Sequence, residues 1–312
     1  MNDEPDSSAS EDLGADFATA LAQGWLPIRE VSRRTGVNAV TLRAWERRYG
    51  LIVPHRTPKG HRLFSAEHVQ RIQSILTWIN RGVAVSKVKP LLDTPQPPDE
   101  PLEDDWQCQR HALALAVMQL AERQVDHLVN QAMALYPPST VCEQLLLPLL
   151  DELQTRWQGQ FGAQLEQVFF YSWLRSKFGS RVYHNNRQVH GAPLLMVNHS
   201  LSSQEPHLWL AAWLASSSDC PVEVFDAPLP AGELALAVER LKARAVLLYS
   251  SNALNLSQLP RQLNAVDCPI IIAGPAVSIH LARLSTDVSM PHVSWAENPL
   301  CAHAELSRRA LL

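Results

Sequence analysis

Hydrophobic and polar positions along the chain fall into three textures. From Leu26 to Leu92 short apolar groups are spaced for small helices. "IREVSRRTG" predicts a helix closed by Gly36, a residue suited to the left-handed conformation that ends helices. Asn38 is placed to cap the next helix, "VTLRAWERRYG", which ends at Gly50. Two short helices across a glycine turn predict a helix-turn-helix, whose second helix enters the major groove of DNA. "PHRTPKGHRLF" has turn residues around Lys59 and Gly60 before an apolar pair, and predicts a two-stranded wing bearing Arg56, Lys59, His61 and Arg62.

From Trp106 to about Phe178 apolar residues recur every three or four positions, as in "HALALAVMQLAERQVDHLVNQAMAL", "TVCEQLLLPLLDELQTRW" and "LEQVFFYSWLRSKF". Four amphipathic helices of this length predict a small bundle. After about His190 the short apolar runs "APLLMVN", "VEVFDA", "RAVLLYS" and "PIIIAG" alternate with helical stretches. Continuous apolar strands alternating with helices predict a parallel sheet covered on both faces. Five such βα units make a flavodoxin-like, doubly wound domain with its ligand crevice at the carboxyl ends of the strands. The expected fold class is therefore multidomain α/β: winged helix-turn-helix, helical bundle, doubly wound sheet. The expected boundaries are an acidic disordered tail at 1–24, the DNA-reading domain at 25–92, a Pro- and acid-rich linker at 93–105, a helical cap at 106–188 and the α/β domain at 189–312.

Charge sharpens this organisation. The chain of 312 residues has a net charge of −4, which conceals a strong segregation. Residues 1–25 carry six acids and no Lys or Arg, whereas residues 26–92 carry thirteen Lys or Arg against Glu30, Glu46 and Glu67. A basic block between two acidic ones is the electrostatic footprint of a nucleic-acid reader. No apolar run approaches the ~20 residues of a membrane helix, and no basic region precedes an apolar stretch at the N-terminus. A cytoplasmic protein with no membrane partner is the expectation.

Catalytic and metal chemistry find little support. The five cysteines (Cys108, Cys142, Cys220, Cys268, Cys301) are scattered and form no C-x-x-C pair, the wrong spacing for zinc or a disulfide framework. There is no G-x-S-x-G, P-loop, G-x-G-x-x-G or H-E-x-x-H pattern. The expectation is no enzyme, no catalytic residue and no metal.

"TLRAWERRYGL" followed by "GHRLF" resembles the MerR family of winged helix-turn-helix regulators, in the branch of MlrA and CarH, almost continuously over residues 26–92. The resemblance implies that Thr41, Arg43, Arg47 and Arg48 meet double-stranded promoter DNA from the recognition helix. It implicates His61 and Arg62 on the wing, with Arg56 and Lys59 nearby. Arg forks suit phosphate and guanine, and Lys59 acts as a point charge. Only Glu46 interrupts the bases on this helix, and Trp45 is assigned to the core. The resemblance further implies a homo-oligomer with one winged domain per half-site, and contact with RNA polymerase. An MlrA-like character implies activation, with biofilm or envelope genes as targets; a CarH-like character implies repression.

The bundle-plus-sheet order resembles the cobalamin-binding half of the same branch, in which an Asp-x-His-x-x-Gly loop supplies the lower cobalt ligand. Here the loop reads Glu205-Pro206-His207-Leu208-Trp209-Leu210: the histidine is kept, the aspartate has become glutamate and the glycine leucine. The cap of the branch carries Trp followed about ten residues later by Glu-His, whereas this chain has Trp157 and then Glu166-Gln167. The Gly-Gly that accommodates the nucleotide tail is replaced by Gly274-Pro275. The favoured reading is an effector half with no cofactor, His207 being a surface or capping residue and Ser250 and Ser251 serving a strand-to-helix turn. The alternative is a light or ligand sensor that holds adenosylcobalamin through His207, oriented by Glu205. A corrinoid-dependent enzyme or carrier ranks third.

Overall fold

Local signals at the helix ends set the geometry of the N-terminal part. In the computed structural model, residues 24–58, 60–92, 105–159, 162–202, 204–284 and 292–312 are described. The expected acidic tail up to residue 23, the linker apart from Asp105, and Lys59 lie outside the described residues. Helix α1 (Ile28–Thr35) stops at Gly36, whose φ of 70° lets its N–H reach the Ser32 carbonyl. The Asn38 side chain accepts from the Thr41 N–H at 2.8 Å and starts α2 (Ala39–Ala44). The chain then continues through a π-helical turn, Trp45–Tyr49, which ends at Gly50 with φ 57°. Sequence spacing does not distinguish that turn from ordinary helix; such turns recur at functional sites.

Strands β1 (Leu26–Pro27), β2 (His55–Arg56) and β3 (Arg62–Phe64) form a small antiparallel sheet in the order β1-β3-β2. The wing is the β2–β3 hairpin, with Arg56 directly opposite Arg62. Ser65 and His68 form a reciprocal capping box at the start of α3 (Ala66–Asn80), and α4 (Val85–Leu92) follows. Val31, Leu42, Trp45, Leu63, Phe64, Ile72, Ile75 and Ile79 are all buried and make the core. Each such side chain contributes roughly 1.5–3 kcal/mol through burial.

The next helices are α5 (Asp105–Met118), α6 (Glu122–Leu135), α7 (Pro138–Val141, continued by a π-helical turn Cys142–Leu146), α8 (Leu147–Trp157) and α9 (Ala163–Asn186). The chain divides into two compact units, one taking in residues up to Ala116 with Arg123–Leu150, the other Val117–Glu122 with Asp151–Leu312. The physical reason in the first unit is a corner at residues 135–140 that grips the DNA-reading part. The Trp45 indole N–H donates to the Leu135 carbonyl at 2.8 Å, the Val85 N–H donates to the Tyr136 hydroxyl at 3.4 Å, and Thr140 donates to the Asn80 side chain at 3.3 Å. This division by packing runs through the helical region and does not bear on the expected boundary at 188/189.

In the second unit β4 (Leu194–Asn198), β5 (Val222–Phe225), β6 (Ala245–Tyr249), β7 (Ile270–Ala273) and β8 (Val293–Ala296) pair in parallel in the order β5-β4-β6-β7-β8. Alternate residues of each strand serve opposite faces. Leu194, Met196, Leu247 and Ile271 pack with α10 (Pro206–Ser216) and α14 (Pro299–Arg308). Leu195, Val197, Val246, Leu248, Ile270 and Ile272 pack with α11 (Leu234–Leu241), α12 (Leu259–Leu263) and α13 (Pro275–Leu284). This is the expected doubly wound sheet. Its strand order reverses between β4 and β6, the switch point at which such folds bind ligands. Helix α9 lies along α10, which draws it into this unit.

Candidate nucleic-acid interface and effector site

The recognition helix separates its side chains cleanly. Leu42 and Trp45 are fully buried, while Arg43, Arg47 and Arg48 are exposed and make no ion pair among the described residues. Three guanidiniums carried on α2 and its π-helical extension are free to meet phosphate or guanine. The structure places Thr41 differently from the expectation. It is 0% exposed and its hydroxyl has no hydrogen-bond partner among the described residues, so its side chain is not available to DNA in this conformation. Its role is local, through the N–H that Asn38 caps.

On the wing, His61 and Arg56 are exposed, and Arg62 is largely buried because it turns inward. The partner is Glu46 of the recognition helix, which sequence reasoning registered only as an interruption of the basic run. Its Oε1 accepts from Arg56 Nη2 at 2.6 Å and its Oε2 from Arg62 Nε at 2.5 Å. Burial pushes the Glu46 carboxyl up, but hydrogen bonds from Arg62 and Arg56 outweigh it and leave it below the usual carboxylate range. Trp45 is in the core as expected, with the added bond to Leu135.

At the switch point of the sheet, polar side chains converge from the ends of β4 and β6 on Glu205. Its Oε2 accepts from the Ser200 hydroxyl at 2.6 Å and the Ser251 hydroxyl at 2.7 Å, and its Oε1 lies 3.3 Å from His207 Nδ1. Burial raises the Glu205 carboxyl, but His207 and the two serines bring it below the ordinary range. The imidazole of His207 stacks on Tyr249, with ring planes 3° apart and centroids 5.9 Å apart. With a side-chain exposure of 12%, His207 is neither a surface residue nor a cap, which corrects the expectation for it. Ser250 does serve the strand-to-helix turn, donating to the Asn252 carbonyl at 2.9 Å; Ser251 instead joins the carboxylate.

A cobalamin cofactor can be tested against these residues. The imidazole–carboxylate pair keeps the chemistry of a lower axial ligand, since a second-shell carboxylate fixes the tautomer of a metal-binding histidine. The clearance is missing. Leu210 is completely buried within α10 at the place of the loop glycine. Gly274, with φ 112°, presses against the end of β6 so closely that a Cβ there would lie 2.4 Å from the Ser250 carbonyl oxygen. The Ala276 N–H bonds the same oxygen at 3.2 Å. The loops after β4 and β6 are also tied to each other, Ser251 N–H to Ser200 Oγ and Leu201 N–H to Asn252 Oδ1, both at 2.8 Å. In the cap, Glu166 is engaged by the Trp157 indole at 3.1 Å and by Arg156 at 3.3 Å. The residue after it, Gln167, is no cobalt ligand. A cavity of about 390 Å³ between α9 and the loops after β4 and β5, lined by Tyr171, Arg175, Glu205, Trp209 and Asp226, has the size of a small-molecule site. The residues present do not fit a corrin with its nucleotide tail.

Comparison with known proteins identifies two regions of the chain. Residues 26–94 match the MerR HTH family regulatory protein model, and residues 109–180 match a B12 binding domain. The HTH-type transcriptional regulator MlrA of Escherichia coli K12 is 32% identical over 197 residues, covering 63% of this chain and 78% of that protein. The HTH-type transcriptional repressor CarH of Myxococcus xanthus is 24% identical over 310 residues, covering 88% of this chain and 98% of that protein. A methanol:cobalamin methyltransferase complex from Methanosarcina barkeri superposes with a TM-score of 0.31 at 12% identity, over 75% of this chain and 92% of its own, a likeness too loose to carry argument. The alignment with MlrA settles the family: this chain belongs to the MerR-type HTH transcriptional regulators that join a DNA-reading domain to a B12-binding domain.

Proposed function

We propose that the protein is a homo-oligomeric, cytoplasmic activator of transcription, not an enzyme, whose B12-type half works without cobalamin. The observation that carries the DNA reading is the trio Arg43, Arg47 and Arg48, exposed and unpaired among the described residues on the recognition helix. On the wing, Arg56 and His61 are exposed beside them, and Lys59 and Arg62 are further bases of the same stretch of sequence. Each winged domain reads one half-site, and activation works by deforming promoter DNA so that RNA polymerase engages it, with the deformation energy as part of specificity. Activation as the direction follows the MlrA-like reading of the sequence.

The absence of cobalamin is supported by the switch point, where Glu205 is satisfied internally and Leu210 fills the place of the loop glycine. One observation favours a second reading, a sensor that holds adenosylcobalamin: the His207–Glu205 pair survives at 3.3 Å. Sequencing the DNA that the purified protein enriches from a random duplex library tests the first reading. Enrichment of a repeated half-site supports it, and no enrichment above a protein-free control overturns it.

A further inference from the structure

Glu46 holds together a contact that is unfavourable without it. Arg56 and Arg62 are cross-strand partners in the wing, and like charges directly opposite each other repel. One carboxylate from the recognition helix receives both, so it joins the helix to both strands of the wing. The two arginines are not equivalent. Arg62 is 19% exposed and enclosed beside Glu46, whereas Arg56 is 50% exposed and can turn outward without unpacking anything.

Resting on the DNA reading above, we propose that Glu46 is a positioning residue that withholds Arg56 from phosphate until the recognition helix is seated in a cognate site, and so sets sequence discrimination. Non-specific binding is almost wholly electrostatic and is won by every cation free to reach a phosphate. A guanidinium held by a carboxylate contributes little to it. When the helix is seated, the wing is brought against the backbone, and a phosphate replaces Glu46 as the partner of Arg56. Arg62 stays on Glu46 in both complexes and keeps the hairpin in register with the helix.

The test measures binding constants against salt for two duplexes, the one wild type enriches from a random library and a scrambled duplex of equal composition. On scrambled DNA, Glu46→Gln should bind more tightly, with a slope of log K against log salt steeper by about 0.9, the value of one added phosphate contact. On the enriched duplex its slope should stay that of wild type, so the ratio of specific to non-specific affinity falls. Arg56→Gln should do the reverse, with a shallower slope on the enriched duplex by about 0.9 and no change on scrambled DNA. In the Arg56→Gln background, Glu46→Gln should no longer alter either slope. A merely structural Glu46 would lower the thermal midpoint and weaken both complexes alike with slopes unchanged, and that result overturns the proposal. If Glu46→Gln does not fold, Arg56→Gln carries the test, and an equal loss of slope on both duplexes overturns it. Arg43→Ala is measured in parallel: unchanged affinity for the enriched duplex defeats the DNA-face reading itself, whereas a loss there with unaltered Glu46→Gln slopes defeats only the clamp.

Discussion

The DNA-reading face and the switch point of the sheet are both polar, and they dispose of their polar groups in opposite ways. On the recognition helix three arginines stand in solvent without partners among the described residues. At the switch point a buried carboxylate is engaged by two serines and a histidine, and the loops after β4 and β6 are bonded to each other. Unspent donors attract a ligand, whereas internally satisfied groups stabilise the fold and would have to be broken apart to admit one. The comparison teaches that similar polar groups can be left open on one face and paired with one another on another.

Substitutions break this comparison in order of size. Leu210→Ala should cost the most, about 2–5 kcal/mol of unfolding free energy, because the residue is fully buried on α10. Urea unfolding of both proteins checks this, and a change below ~0.5 kcal/mol would mean the side chain packs against little. Glu205→Gln should cost less, about 1.5–3 kcal/mol at neutral pH, the range for hydrogen bonds to a charged group. The folded carboxyl lies below its ordinary range, so this stabilisation is present above the unfolded value of ~4.3 and is lost as pH falls through the lower folded value. The gap in thermal midpoint between wild type and Glu205→Gln should narrow on acidification below about pH 4, and a gap constant with pH would contradict the ionised network. Arg43→Ala sharpens the other side. It should cost about 1–3 kcal/mol of operator binding and leave unfolding unchanged within ~0.5 kcal/mol, as calorimetry and fluorescence anisotropy together would show.

Much of the fold was legible because its signals are local. Gly36, Asn38 and Gly50 each act within four residues, and each ends or begins a helix where the spacing says it should. The buried strands β4, β6 and β7 declare themselves as unbroken apolar runs. Strand β8, "VSWA", carries a serine and is short, and was not among the runs that stood out. The site was legible by composition and less so by contact. Arg43, Arg47 and Arg48 lie where a recognition helix presents them, but the burial of Thr41 depends on packing that its identity does not reveal. The pairs Glu46–Arg56 and Glu46–Arg62 join residues ten and sixteen apart, and Ser251 meets Glu205 across 46 positions. The grip of residues 135–140 on the DNA-reading part is longer still in sequence, since Trp45 and Leu135 are 90 apart. No periodicity encodes such contacts; they follow from which loop ends the fold brings together.

The central claim is that the DNA-reading half is in working order while the B12-type half holds no cobalamin. The most direct measurement is a visible spectrum of the purified protein after dark incubation with adenosylcobalamin and desalting, taken on a sample that also binds its enriched duplex. The account predicts a colourless protein with undiminished DNA affinity. Retained corrin absorbance that disappears in His207→Ala would contradict it and make the Glu205–His207 pair a working ligand site.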